Sequence, residues 1–309
     1  MRSTFLLPAA AAGMLILAGC DFEDLGGLER YQEDFHFSQP LKSGGRLTVE
    51  GFNGSIEISP WDQDTVDISG TKYARSQSDT AAIRIDIDHT ADAVTVRAVR
   101  PSFSAHNGNY GVRFAIKVPR GAVLDHLTTS NGAIRAADCS GPARLKTSNG
   151  RIDVQRQRGV LYAETSNGPI EVMDNNGDIE AHTSNGHIRV ERVRGALEAT
   201  TSNSSIHAQV DRAGDSLKAQ TSNGGIELTL PPGAQCSVRA RTSNSSITLR
   251  LPGDANAAIS AHTSNGSIMS DFDLRTHGEI SKHHLEGTLG SGGPLIDLNT
   301  SNGSIRIVR

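Results

Sequence analysis

From about residue 120 onward, hydrophobic and polar residues alternate with a period of two, and Gly breaks the alternation at regular intervals. Alternation of this kind marks extended strands with one face buried and the other in solvent. The interruptions are themselves periodic. Thr-Ser-Asn followed by Gly or Ser begins at Thr129, Thr147, Thr165, Thr183, Thr201, Thr221, Thr242, Thr263 and Thr300, with successive spacings of 18, 18, 18, 18, 20, 21, 21 and 37. Gly also stands at every ninth position from Gly132 to Gly195, so the 18-residue unit contains two similar halves. The last interval is close to two periods, which predicts a degenerate copy around Gly287 to Gly293.

Aligning the copies on their Asn shows what each position requires. Three residues later stands Ile134, Ile152, Ile170, Ile188, Ile206, Ile226, Ile247, Ile268 or Ile305, and two further on a mostly aliphatic residue such as Val154, Val172 or Leu249. Before the Asn, the positions at minus six, minus four and minus two hold aliphatic or small residues and then Thr, as in Leu197, Ala199 and Thr201. The inward parity changes across Asn-Gly, from minus six through zero to plus three and plus five, so one residue is absorbed in a bend. Gly and Asn tolerate positive φ, which suits them to that bend. Asn-Gly between alternating strands also suits a hairpin. A meander of hairpins would pair each Ile with an antiparallel neighbour, whereas identical inward residues at a fixed period favour coil stacked on coil.

The expected fold is therefore all-β: a β-solenoid of about 18 residues per coil, flattened into two parallel sheets, with a β-rich N-terminal cap. Parallel crossovers predict a right-handed winding. Asn131, Asn149, Asn167, Asn185, Asn203, Asn223, Asn244, Asn265 and Asn302 are expected to form an inward amide ladder along the axis, as in stacked cross-β assemblies. A weaker copy lies at Val49, Asn53-Gly54, Ile56 and Ile58, followed by alternating runs up to Val118. Residues 35–122 are read as the cap with a degenerate first repeat, covering an edge that would otherwise invite another chain to pair, and residues 123–309 as the solenoid. The chain stops on Ile305-Arg306-Ile307, a strand with no following cap and so an expected open edge for self-association. Pro-Gly turns stand at Pro119 to Gly121, Pro231 to Gly233 and Pro252-Gly253, and the last two, which fall where the period lengthens, are expected to emerge on one edge.

Composition narrows the function. The 309 residues include 32 Gly but only 8 Phe, 4 Tyr and 1 Trp, and the net charge of −4 gives no electrostatic case for nucleic acid. Cys139 and Cys236 fall about five coils apart, roughly 24 Å at the spacing of stacked strands, and are expected to stay unpaired. No Asp column follows the Gly column, as a calcium β-roll would need, and no zinc spacing or phosphate loop is present, so neither metal nor cofactor is expected. One enzymatic alternative remains. An outward column would place Glu180 and Glu198 roughly 4.8 Å apart beside Lys218, the paired carboxylates a polysaccharide-processing β-helix enzyme would use. The simpler reading of that column is a solvated, mixed-charge strand face with no catalytic residue.

The chain begins with Arg2, an apolar stretch from Phe5 to Leu17 that is too short to span a membrane, and Leu17-Ala18-Gly19-Cys20. This resembles the signal peptide and lipobox of bacterial lipoproteins: residues 1–19 would be removed and Cys20 would carry the lipid that attaches the protein to a membrane. The resemblance implies a position on the periplasmic or outer side of the envelope, and Asp21 after the Cys favours the inner membrane. Residues 20–34 are rich in acids and read as a tether. Taken with the tandem Thr-Ser-Asn-Gly-x-Ile units, the stretch from Phe35 to Arg309 resembles bacterial envelope proteins grouped as putative adhesins with a domain of unknown function built from β-strand repeats. That resemblance implies a non-enzymatic, adhesin-like interaction or scaffolding module facing an envelope protein or glycan.

Overall fold

A computed structural model of the chain describes residues 31–101, 110–276 and 281–309. Residues 1–30, which include the signal segment and Cys20, lie outside the described residues. The N-terminal region runs through β1 (Tyr31–Pro40), β2 (Arg46–Glu50), β3 (Ile56–Trp61), β4 (Thr65–Ala74), helix α1 (Gln77–Ala82), β5 (Arg84–His89), β6 (Ala93–Val99) and β7 (Gly111–Pro119). The regular part follows as β8 (Val123–Thr129), β9 (Ile134–Ala137), β10 (Ala143–Thr147), β11 (Ile152–Gln155), β12 (Leu161–Glu164), β13 (Ile170–Met173), β14 (Ile179–His182), β15 (Ile188–Thr200), β16 (Ile206–Gln220), β17 (Ile226–Thr229), β18 (Ser237–Arg241) and β19 (Ile247–Arg250). The chain ends with β20 (Ala257–Thr263), β21 (Ile268–Ser270), β22 (Arg275–Thr276), β23 (His284–Leu289), β24 (Leu295–Thr300) and β25 (Ile305–Val308).

Strands one coil apart pair in parallel with equivalent residues in register, which is the arrangement of a solenoid and excludes the hairpin meander. In the second sheet Ile134, Ile152, Ile170 and Ile188 stand opposite one another in sequence, and the column continues through Ile206, Ile226 and Ile247. Each of these is at most 2% exposed. In the first sheet Leu145, Ala163, Ala181, Ala199, Ala219 and Ala240 stack in the same way. Burying one Ile is worth about 1.5–3 kcal/mol, so a repeated column multiplies a modest local gain along the axis. In β15 and β16 the strands run continuously through the corner that elsewhere separates the second sheet from the first.

The order of coils in space differs from their order in the chain at both ends. At the N-terminal end, β2 and β3 lie between β8–β9 on one side and β6–β7 on the other, so the chain's first coil is second in the stack. Outside them, β5 covers β6 and β4 covers β7, both antiparallel, and β1 adds to β4. At the C-terminal end, β24 inserts between β18 and β20, and β25 between β19 and β21. The last strand is thus paired on both sides, and Ile305 and Ile307 are fully buried. The expectation of an open terminal edge is overturned, and with it the basis for self-association through that strand. The outermost coil is instead β20–β21, and β23 pairs antiparallel with β20. The stretch around Gly287 to Gly293, expected to be a degenerate coil, belongs to this cap: Gly287 to Leu289 end β23, with Gly287 and Thr288 paired to β22, and Gly290 to Gly293 lie in the turn into β24. Tyr31 to Asp34, assigned to the tether from composition, are already strand, in register with Ala74 to Thr71.

Candidate functional site

Each coil turns two corners, and the outward side chains form columns along these corners and along the sheet faces. The first corner is Thr-Ser-Asn-Gly. Its Thr is buried and its hydroxyl donates to the main-chain carbonyl in the preceding coil, as Thr165 does to Gly150 (3.0 Å), Thr183 to Gly168 (3.1 Å) and Thr201 to Gly186 (2.9 Å). Ser and Asn both face solvent, and this corrects the expected inward placement of the Asn: two consecutive outward residues absorb the change of parity. The amide ladder itself is present. Each Nδ2 donates to the Oδ1 of the Asn one coil away: Asn167 to Asn149 (2.6 Å), Asn185 to Asn167 and Asn203 to Asn185 (both 2.7 Å), Asn223 to Asn203 and Asn244 to Asn223 (both 2.8 Å). At the N-terminal end Asn149 donates to Asn131, Asn131 to Asn53, and Asn53 to the Tyr110 carbonyl. At the other end Asn302 donates to Asn244 and Asn265 to Asn302, so the ladder follows the spatial order of the coils rather than the chain.

The Gly of this corner is required by close approach. A Cβ on Gly150, Gly168 or Gly186 would overlap the carbonyl oxygen of the Gly one coil before. Positive φ, expected here, is found in this column only at Gly54. It occurs at the opposite corner, at Gly141, Gly159, Gly177 and Gly195 and, unusually, at Asp138, Arg156, Asp174 and Arg192, whose φ values lie between 52° and 59°. A non-Gly residue in the left-handed region is disfavoured and persists only where its surroundings hold it.

What holds it here is an alternating charge column. Arg156 grips Asp138 through Nε and Nη2 (2.6 and 2.8 Å), and Arg192 grips Asp174 likewise (2.6 and 2.9 Å). Arg120, in the turn before β8, grips Asp62 in the same two-pronged way. The Arg156 hydrogen bonds hold the Asp138 carboxyl below the usual carboxylate range, and those of Arg192 do the same for Asp174. Beside this column runs a second one, Ser140, Arg158, Asn176 and Arg194, joined by main-chain bridges, with Arg212 opposite Arg194 in the next coil. Arg120, Asp138, Arg156, Arg158, Asp174 and Arg194 are among the residues that line a groove of about 460 Å³ along this corner. The three Pro-Gly turns emerge at this same corner, each between a second-sheet strand and the first-sheet strand that follows it. Beneath it the core turns partly polar: Cys139, Gln157 and Asn175 are buried at equivalent positions, and Gln157 Oε1 and Asn175 Oδ1 have no hydrogen-bond partner. Burial pushes the Cys139 thiol up to about 12, and both Cys139 and Cys236 are free, as expected.

On the first-sheet face Glu180 and Glu198 stand opposite each other, as the sequence predicts. Each has a partner within the face: Glu198 pairs with Lys218 (2.5 Å) and Glu180 is hydrogen-bonded to His182 (2.8 Å). Neighbouring Glu164 is held below its ordinary range by hydrogen bonds from Lys146 and Tyr162. Among the described residues no group of three or more His, Cys, Asp or Glu side chains converges as a metal site would require. The Asp/Arg alternation was present in the sequence at 18-residue spacing, seven residues after each Asn, but its identity changes from one copy to the next, so the repeat pattern marks it only as variable.

A stacked β-solenoid with a repeated Thr-Ser-Asn-Gly corner defines the class, and comparison with known proteins gives the family. Residues 40–250 match the Toastrack DUF4097 family, so the chain belongs to that family. No curated protein matches it. Among solved structures it is similar to a "putative cell adhesion protein" from Clostridium sporogenes, at 12% identity over 90% of this chain and 99% of the other with a TM-score of 0.23. It is also similar to a "putative adhesin" from Bacteroides fragilis, at 12% identity over 89% and 97% of the two chains with a TM-score of 0.31.

Proposed function

We propose that the protein is a non-enzymatic, lipid-anchored interaction module of the bacterial cell envelope, held by Cys20 and presenting its solenoid as a rigid contact surface. The observation that carries this reading is the division of labour within the repeat. Thr, Asn, Gly and Ile, the residues that recur in register, are all engaged in stacking coil on coil, while the outward positions of both sheets and of the second corner vary from coil to coil. A repeat whose invariant part builds the scaffold and whose variable part forms the surface is suited to binding along its length. The polysaccharide-processing alternative is the weaker one, because Glu198 is paired with Lys218 and Glu180 is hydrogen-bonded to His182, so the two carboxylates are each engaged by another side chain rather than by one another.

Two measurements test the proposal. Labelled palmitate should enter the wild-type protein and not Cys20→Ser, and absence of label in both would refute the anchor. The anchored protein should retain an envelope component that is lost when outward charges are neutralised; retention that ignores those charges would refute the surface assignment.

A further inference from the structure

The corner between the second and first sheets carries two columns of opposite character. In one, Asp138, Arg156, Asp174 and Arg192 neutralise each other by two-pronged ion pairs. In the other, Ser140, Arg158, Asn176, Arg194 and Arg212, there is no carboxylate. Arg158, Arg194 and Arg212 are exposed, and among the described residues none of them makes an ion pair or a side-chain hydrogen bond. Arg194 adds its charge to the field at Asp174 without bonding to it. Arg194 and Arg212 stand directly opposite one another in adjacent coils, a like-charge pair with Asp211 in the lining of the same stretch but bonded to neither.

We propose that this column is the docking groove for a linear acidic glycan, a sugar chain bearing carboxylate or sulfate groups along its length. The proposal rests on the reading of the protein as an interaction module and assigns that module its ligand class. Every side chain in the column can donate a hydrogen bond, and three are guanidiniums, which match carboxylate and sulfate with two parallel bonds. The geometry is linear and periodic. Arg158 and Arg194 are two coils apart, about 9.6 Å at the strand spacing, with Asn176 between them. From Ser140 to Arg194 charges alternate with neutral donors, the pattern of a polymer in which acidic sugars alternate with neutral ones, and Arg212 then adds a second charge beside Arg194. The groove continues from Arg194 past Gly195 to Arg212 and Gly214, sharing Asn176 and Arg194 with the first stretch. No aromatic side chain lines either stretch, so nucleobases would find nothing to stack on, and no large apolar side chain lines them to enter a lipid surface.

The test uses the full chain and immobilised hyaluronan, which has one carboxylate on alternate sugars, with polygalacturonate, heparin, uncharged dextran and single-stranded DNA as comparators. The corner variant combines Arg158→Asn, Arg194→Asn and Arg212→Asn, since Asn already occupies this column at Asn176. A control variant removes the same charge from the outward face of the second sheet through Arg135→Asn, Arg189→Asn and Arg306→Asn. The acidic glycans should bind and dextran should not, the corner variant should bind about tenfold more weakly, and the control should change by less than about twofold. Arg194→Lys, which keeps the charge but loses the fork, should give an intermediate loss and serves if the triple variant melts early. Equal losses in both triple variants, or DNA binding as tight as that of hyaluronan, would show general charge attraction and overturn the proposal. So would a wild-type protein that binds no acidic glycan. If that protein still retained an envelope component through its outward charges, the interaction-module reading would stand and only the ligand class would fall.

Discussion

At the scale of the residue, the Thr-Ser-Asn-Gly corner assigns one task to each side chain. Thr closes a buried carbonyl, Gly removes a Cβ from the point where coils touch, and Asn hydrogen-bonds to its own copies along the axis. Ser204 and Ser245 take the place of Gly in two coils, and their carbonyls still accept from Thr221 and Thr300. Because the ladder is directional, an interior Asn both donates and accepts, while Asn265 at the end only donates. Asn167→Ala removes two amide bonds and should lower stability by about 1–2 kcal/mol, and Asn265→Ala removes one and should lower it by about half as much. Urea unfolding of the two variants measures the difference, and equal effects would mean that the ladder adds nothing beyond each residue's local role.

At the scale of the element, the left-handed corner is held by charge. The carboxyls of Asp138 and Asp174 titrate lower in the folded protein than in the unfolded chain, because Arg156 and Arg192 favour their charged forms. A depressed carboxylate contributes stability that is complete above its unfolded value of about 3.9 and is lost as the pH falls through the lower folded value. The urea midpoint of the wild type should therefore decline below about pH 4. The Asp138→Asn, Asp174→Asn double variant should start lower at neutral pH and decline less over the same acid range. Parallel pH profiles would show that the exposed pairs are fully screened by solvent, as many surface ion pairs are.

At the scale of the whole molecule, the first and the last coil in chain order each lie one coil inward in the stack. The first coil, β2–β3, is flanked by β6–β7 and β8–β9, and the last, β24–β25, by β18–β19 and β20–β21. Antiparallel strands then cover β6 and β7 at one end and β20 at the other, which limits the pairing that open strand edges invite. The tuck also changes how the stack responds to truncation. In a simple repeat array, removing the terminal repeat subtracts one repeat and one interface. Ending this chain at Gly290 removes an interior coil and leaves β18 and β20 without the neighbour they share. The truncated protein should melt well below the full chain and lose soluble yield, as followed by circular dichroism and size-exclusion chromatography. A small, additive drop in melting temperature would argue that β24–β25 is peripheral.

The coil length, the inward Ile and Thr columns, the parallel sheets and the separation of Cys139 from Cys236 were all legible in the sequence, because periodicity is a property of neighbouring residues and repeats wherever the same local conformation does. The existence of the Asn ladder followed from the same period, but its exposure did not: alternation alone carried the Asn inward, and only the close contact at the following Gly turns two residues out together. The Asp138 to Arg192 column lay in the sequence at the right spacing, yet its meaning depended on a left-handed backbone that favours neither Asp nor Arg. Above all, every coil presents nearly the same edge to every other, so local pattern cannot choose which coils become neighbours. That choice was made by the tertiary structure, in which the closing strands at each end fit only the coils that reach outermost.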